Sequence, residues 1–389
     1  MTQLNARATE NRMETKLPLR DWILLPMLSL LTICLLAGCT ELIARLMIPM
    51  PYSNLNECLD HNDFSTGVRA IPNSVCTGET HGSGVVEYRF NSCGHRAGTE
   101  CGPKTLGTYR IVMVGTSAAM GSLVPREKTF ATLLPAELSR LTGRKVELYN
   151  EAMVWETPHV VVLRINDVLA AKPDMILCVM TDYDIQYASS VYPPADVPEA
   201  PDASGTGGFL TTVINQIKHS RSGALLEVFF FKNQSSYVNR YLLGAVGPQF
   251  LRTKLSARLQ HNLEDYDGYA ADIERRAKAM GVQWAVVFVP SRARAAMISM
   301  GEWPAGYDPY KLSDELGTIV KRHGGTYIDI LPGFRNIPSA GQYFFPIDNH
   351  PDARGHAIIS GLIAKQLTNG AIPALNGTTT PEVIMGENR

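Results

Sequence analysis

The sequence predicts an α/β fold: a five-stranded parallel sheet in a three-layer α/β/α arrangement, behind one N-terminal transmembrane helix. Three observations predict it. Strand-like and helix-like stretches alternate five times between residues 108 and 368, the pattern of a parallel sheet covered by helices. The first strand-like stretch, YRIVMVG, is a continuous apolar run, as in a strand buried on both faces. Residues 22–40, WILLPMLSLLTICLLAGCT, carry no charge and are long enough as a helix to cross the hydrocarbon core.

The N-terminal elements follow from charge. Arg7, Arg12, Lys16 and Arg20 precede the apolar stretch, and only Arg45 follows closely. The positive-inside bias places residues 1–21 in the cytoplasm and everything after the anchor at 22–40 outside it. The location expected is the cytoplasmic (inner) membrane, single-pass, with the main domain periplasmic or otherwise extracytoplasmic. Leu36 to Cys39, LAGC, resembles a bacterial lipoprotein signal, so a lipid anchor on Cys39 is the alternative. Residues 41–107 read as a loop-rich lead-in with one short strand at GVVEYRF. They hold Cys58, Cys76, Cys93 and Cys101. In an oxidising compartment these form two disulfides, with three pairings open. The lead-in contains no Cys-x-x-Cys spacing of the kind a zinc site uses.

The main domain runs over 108–368. Its expected strands are YRIVMVG, KVELYNEA, PDMILCVMT, VQWAVVFVP and TYIDIL. Its expected helices are TFATLLPAELSRLTG, capped by Gly143, VVVLRINDVLAA, YAADIERRAKAMG, YKLSDELGTIVKRHGG and DARGHAIISGLIAKQL. Residues 186–262 interrupt the alternation as an insertion, a substrate cap or extra core. Cys178 is expected to be a buried thiol, and 369–389 a flexible tail. With 45% hydrophobic and 19% charged residues and a net charge of -1, the chain offers no basic surface to a nucleic acid.

Parallel sheets carry their sites beyond the carboxyl ends of the strands. In IVMVGTSAAMG, Ser117 follows the first strand on a turn of small residues. A serine nucleophile needs a base, and the base an orienting acid. FFPIDNHPDARGH supplies both at the same end of the sheet: Asp348 stands two residues before His350, and Asp352 is placed to cap the last helix. His356 is expected to pack, and His159 and His323 to sit at helix ends or on the surface. Glu151, Glu156, Asp182 and Asp184 lie near the same strand ends and are expected to face solvent or cap helices. No metal or organic cofactor is implied.

Four blocks, in order, resemble the SGNH (GDSL) hydrolases: VMVGTSAAMG, YNEAMVWETPH, KPDMILCVMTDYDI and DNHPDARGH, together with the lead-in segments IPNS and FNSCGHRA. The last block has the Asp-x-His form of membrane-anchored bacterial members. The resemblance implies a flavodoxin-like three-layer fold with Ser117 as nucleophile, His350 as base and Asp348 as its orienter. It implies oxyanion donors from Ser117 and Trp155 backbone amides and from the Tyr183 side chain. The sequence departs from the family pattern at three sites: Thr116 replaces an aspartate, Trp155 a glycine and Tyr183 an asparagine. The function implied is an extracytoplasmic serine esterase or O-acyltransferase of the acetyl ester class, acting on a glycan or exported polysaccharide. The alternative is a catalytically impaired module that binds polysaccharide or scaffolds envelope or polysaccharide-export proteins.

Overall fold

The computed structural model describes residues 18–47, 52–60, 65–80, 83–190, 220–244 and 247–376. The expected cytoplasmic segment up to residue 17, residues 191–219 of the expected insertion and the tail from 377 lie outside the described residues.

Helix α1 (Leu19–Met47) contains Arg20–Leu46, long and apolar enough to cross a membrane. The lead-in is more ordered than its composition suggests. Strands β1 (Tyr52–Ser53), β2 (Leu59–Asp60), β3 (Arg69–Ala70), β4 (Val75–Thr80) and β5 (Gly84–Arg89) form a three-stranded antiparallel sheet, β1-β4-β5, and a separate β2–β3 pair. β4, VCTGET, has no apolar alternation to announce it. It exists because it pairs along its whole length with β5, from Val75 opposite Arg89 to Thr80 opposite Gly84. Two disulfides close this region, Cys58–Cys76 and Cys93–Cys101.

The main sheet follows. β6 (Tyr109–Gly115) leads into α2 (Ser117–Met120) and α3 (Phe130–Thr142), then β7 (Val146–Asn150) and α4 (Pro158–Ala170). β8 (Met175–Met180) leads into α5 (Asp182–Gln186). Beyond it lie α6 (Arg221–Phe230), α7 (Gln234–Leu242) and α8 (Ala257–Ala279). β9 (Gln283–Phe288), α9 (Arg292–Met300), α10 (Lys311–Arg322), β10 (Thr326–Ile328) and α11 (Ala353–Gln366) complete it. The five strands are all parallel, in the order β10-β9-β8-β6-β7. That is the flavodoxin-like order, with its switch point at β6. Ile111, Val112, Met113 and Val114 are each 0% exposed, so β6 is covered on both faces. Gly143 caps α3 in the left-handed region, its amide bonded to the Ser139 carbonyl.

Two boundaries differ from expectation. α8 begins at Ala257, inside the stretch read as insertion. Leu259, Leu263, Tyr266, Ala270, Ile273 and Ala277 form its buried stripe, and Ser256 caps it by accepting the Leu259 amide. Residues 369–376, expected as part of the tail, are folded. Ile372 and Leu375 are buried in the core, because seating two large apolar side chains outweighs the ordering of a short segment.

Candidate active site

The site begins with a glycine that nothing else can replace. Gly115 ends β6 with φ 144°, and a Cβ there would lie 2.4 Å from the Val179 carbonyl oxygen of the neighbouring strand. This close approach lets the chain turn at once from strand to helix. Thr116 is the extended N-cap residue and Ser117 the first residue of α2. The Ser117 amide is thus one of those that a helix leaves without an intrahelical partner. The turn is held from outside. Buried Arg96, from the lead-in, donates to the carbonyls of Met120 (2.9 Å), Gly121 (2.5 Å) and Val124 (2.7 Å). Asn150, at the end of β7, donates to the Ala119 carbonyl at 3.1 Å.

The second half arrives from the far end of the chain. Asp348 and His350 lie on the loop before α11, whose first amides, Arg354 and Gly355, are capped by Asp352. Asn349 between them adopts φ 69°. This bend brings both flanking side chains to one side. Asp348 Oδ1 accepts from the His350 backbone amide at 3.2 Å and from Nδ1 of its ring at 2.5 Å. With Nδ1 donating, Nε2 is left as the acceptor, and Ser117 Oγ donates to it at 2.7 Å. Burial pushes the Asp348 carboxyl up, but its hydrogen bonds and attraction to His350 prevail and hold it below the usual carboxylate value. It therefore stays ionised beside the imidazole.

A cavity of about 540 Å³ opens over these groups. Its walls combine the ends of β6 and β8, the lead-in (Ser53, Leu55, Tyr88), Leu123 just after α2, and α7 (Tyr237, Tyr241). Trp155 and Tyr183, expected as oxyanion contributors, both line it and are 38% and 52% exposed. Trp155 has φ 63°, so an exposed indole here sits on a left-handed backbone of the kind that favours glycine. Thr116 donates to Asp184.

The acids near the strand ends do not face solvent. Glu151, Glu156, Asp182 and Asp184 are all buried, and the carboxylates of Glu156, Asp182 and Asp184 accept hydrogen bonds within the fold. Asp182 pairs with Arg294, and Glu156 pairs with Arg164 at 2.9 Å while accepting the Gly115 amide at 3.1 Å. Asp184 caps α5 by accepting from Thr181 N and Oγ1. Burial, partly offset by these bonds, pushes Asp184 up to about 6. His95 approaches Glu151 at 3.7 Å, but burial and then Arg164 push the imidazole down to about 4. The contact is therefore not an ion pair at neutral pH.

Glu151 carries a testable pH dependence. Burial, only partly countered by Arg164, pushes its carboxyl up to about 7 from 4.5. The fold binds this proton more tightly than the unfolded chain does. The stability it contributes is fully present below 4.5 and is lost as pH rises through about 7. Glu151→Gln is expected to match the parent near pH 4 and to exceed it near pH 8 by up to about 3 kcal/mol. Urea unfolding at the two pH values checks this; an equal difference at both would contradict it.

His356 packs as expected. It is fully buried, accepts the Phe130 amide through Nδ1 at 3.2 Å and stacks on the Phe130 ring. His159 stacks on Tyr269, and His323 follows α10 and bonds Asp267. Cys178 is a buried thiol receiving the Trp284 indole N–H at 3.3 Å.

Sequence reasoning missed the residues that hold the site together. Tyr237 donates to Asn349 Oδ1 at 2.9 Å, tying α7 to the Asp-x-His loop. Arg292 lies 3.9 Å over the Tyr237 ring and donates to the Pro346 carbonyl at 2.5 Å. No motif marks either residue; only PSRAR directly after the fourth strand hints that α9 starts beside the site.

No protein-family model matches the chain, and no curated protein matches it. Solved structures to which it is similar include TesA, at TM-score 0.38 and 11% identity over 67% of this chain and 98% of that one. An acetylxylan esterase mutant from Geobacillus stearothermophilus aligns at TM-score 0.35 and 12% identity, over 68% and 96%. A lipase/acylhydrolase from Enterococcus faecalis aligns at TM-score 0.38 and 11% identity, over 67% and 95%.

Proposed function

We propose that this chain is an SGNH-type serine esterase or O-acyltransferase of the acetyl ester class, acting outside the cytoplasm on a glycan or exported polysaccharide. The observation that carries the reading is the continuous hydrogen-bonded line from Ser117 Oγ through the His350 ring to Asp348, at the switch point of the sheet. In this reading Ser117 Oγ attacks the acyl carbonyl while its proton passes to His350 Nε2. The oxyanion so formed is met by the amides of Ser117 and Trp155 and by the Tyr183 hydroxyl. Collapse returns the proton to the leaving alkoxide and leaves an acyl-serine. Water or a sugar hydroxyl then gives its proton to His350 and takes the acyl group, restoring Ser117. Asp348 holds the ring and offsets the charge of the imidazolium.

A glycan is supported by the cavity wall. Trp155 and Tyr183 are too exposed for core packing, and Tyr88, Tyr187, Tyr237 and Tyr241 stand around them. Aromatic faces bearing hydroxyls suit sugar rings. The anchor-like α1 and the two disulfides support an extracytoplasmic location.

A second reading, a non-catalytic polysaccharide-binding module, is favoured by one observation. Asp182 and Asp184 line the cavity, and buried carboxylates near a developing oxyanion oppose it. The test is direct. The full chain in detergent, treated with a fluorophosphonate, should carry the adduct on Ser117 by peptide mass spectrometry and should release acetate from an acetylated polysaccharide. Polymer binding without adduct or acetate release would establish the module instead. Tyr183→Phe, removing one oxyanion donor, is expected to lower kcat by about a hundredfold with little change in KM. An unchanged kcat would remove Tyr183 from the hole.

A further inference from the structure

Helix α6, RSGALLEVFF, sets Leu225, Leu226 and Phe229 at i, i+1 and i+4, on one side of the helix. They are 41%, 53% and 67% exposed. Three large apolar side chains together on a ten-residue helix are not the scattered exposure of an ordinary surface.

This helix is fastened to α1 at a particular depth. Glu41 is the first charged residue after the apolar stretch. Its carboxylate accepts from the amides of Arg221 (3.2 Å) and Ser222 (2.9 Å) and from Ser222 Oγ (2.7 Å), at the start of α6. Arg45, one turn on, donates to the same carboxylate at 2.9 Å. Ala44 is 0% exposed, whereas Leu42, Ile43 and Leu46 beside it are 60%, 55% and 81% exposed. So α1 meets the domain on its Glu41 and Ala44 side, and α6 starts where the apolar stretch ends. For a spanning α1 that depth is the boundary between headgroups and acyl chains.

We propose that α6 lies in the plane of the membrane interface beside α1, with Leu225, Leu226 and Phe229 seated in the leaflet from which α1 emerges. The occupant of this apolar face is lipid, because α6 packs against α1 and begins beside Glu41, where the apolar stretch of α1 ends. The inference rests on reading α1 as membrane-spanning. An amphipathic helix of this kind buries its apolar side about 5–10 Å into the interface. α7 follows after Phe231, Lys232 and Asn233 and lines the cavity with Tyr237 and Tyr241. The membrane-seated segment therefore carries one wall of the cavity.

The experiment uses the full chain in phosphatidylcholine–phosphatidylglycerol vesicles, with Cys34→Ser and Cys39→Ser so that a thiol dye reaches only an introduced cysteine; Cys178 is buried. Dyes go on Leu31→Cys in α1, on Leu226→Cys and Phe229→Cys in α6, and on Met280→Cys, exposed at the far rim of the sheet. Each emission is compared between plain vesicles and vesicles whose acyl chains are brominated. Dyes at 226 and 229 are expected to lose emission to the same order as the dye at 31, with none lost at 280. If 31 is quenched while 226 and 229 behave like 280, the inference falls and the span stands. If 31 itself is not quenched, the span falls and the inference with it. If 226 and 229 stay bright and two Phe229→Cys chains cross-link on oxidation, the face belongs to a second copy and the inference is overturned.

Discussion

Ser117→Ala is expected to lower ester turnover by on the order of 10⁴- to 10⁶-fold and to abolish fluorophosphonate labelling. In the proposed reaction the hydroxyl is both the attacking atom and the donor of the 2.7 Å hydrogen bond to His350, so its removal takes away the nucleophile and the group whose proton the base accepts. His350→Ala should cost a similar factor. The double variant should be scarcely worse than either, because the two groups act as one unit and their losses do not add. Both side chains are only part-buried, so melting temperatures should stay close to the parent's. Single-turnover kinetics with p-nitrophenyl acetate measures all three proteins. Additive losses would mean that the two residues work independently and that the hydrogen bond between them is incidental to catalysis.

Asp348→Asn is expected to lower kcat by on the order of a thousandfold or more while leaving the fold in place. The amide oxygen can still accept the His350 backbone amide, as Oδ1 of Asp348 does at 3.2 Å, so the tight turn survives. What disappears is the negative charge 2.5 Å from Nδ1, which faces the imidazolium during attack. An amide turned the other way also presents a donor to Nδ1, forcing the proton to Nε2, where it blocks acceptance from Ser117. Fluorophosphonate labelling should slow in parallel with kcat. Labelling at the parental rate would show that Asp348 serves the turn and not the chemistry.

The sheet was legible for a simple reason. The central strands β6, β8 and β9 are short, mostly apolar runs, the mark of burial on both faces, and β6 is fully buried along Ile111–Val114. Ser117 was legible because it stands directly beyond such a run. His350 was legible because an Asp-x-His on a loop before the last helix must lie at the same rim. The lead-in was less legible, since β4 is defined by its pairing with β5 and not by its own side chains. Asp184 caps α5 as expected, but the burial of Glu156 and Asp182 was not legible, because it depends on Arg164 and Arg294, basic residues that sequence places on helices without showing which way they turn. Tyr237 was invisible for a similar reason: its partner Asn349 lies 112 residues away, in a segment whose own role is clear only once the loop is built.

Arg96, which clamps the carbonyls behind Ser117, stands within the ring closed by Cys93–Cys101. On the proposed reading, competence follows maturation: a copy whose Cys93 and Cys101 thiols have not joined lacks the ring that carries Arg96, so the elbow bearing Ser117 is fully latched only where disulfides form.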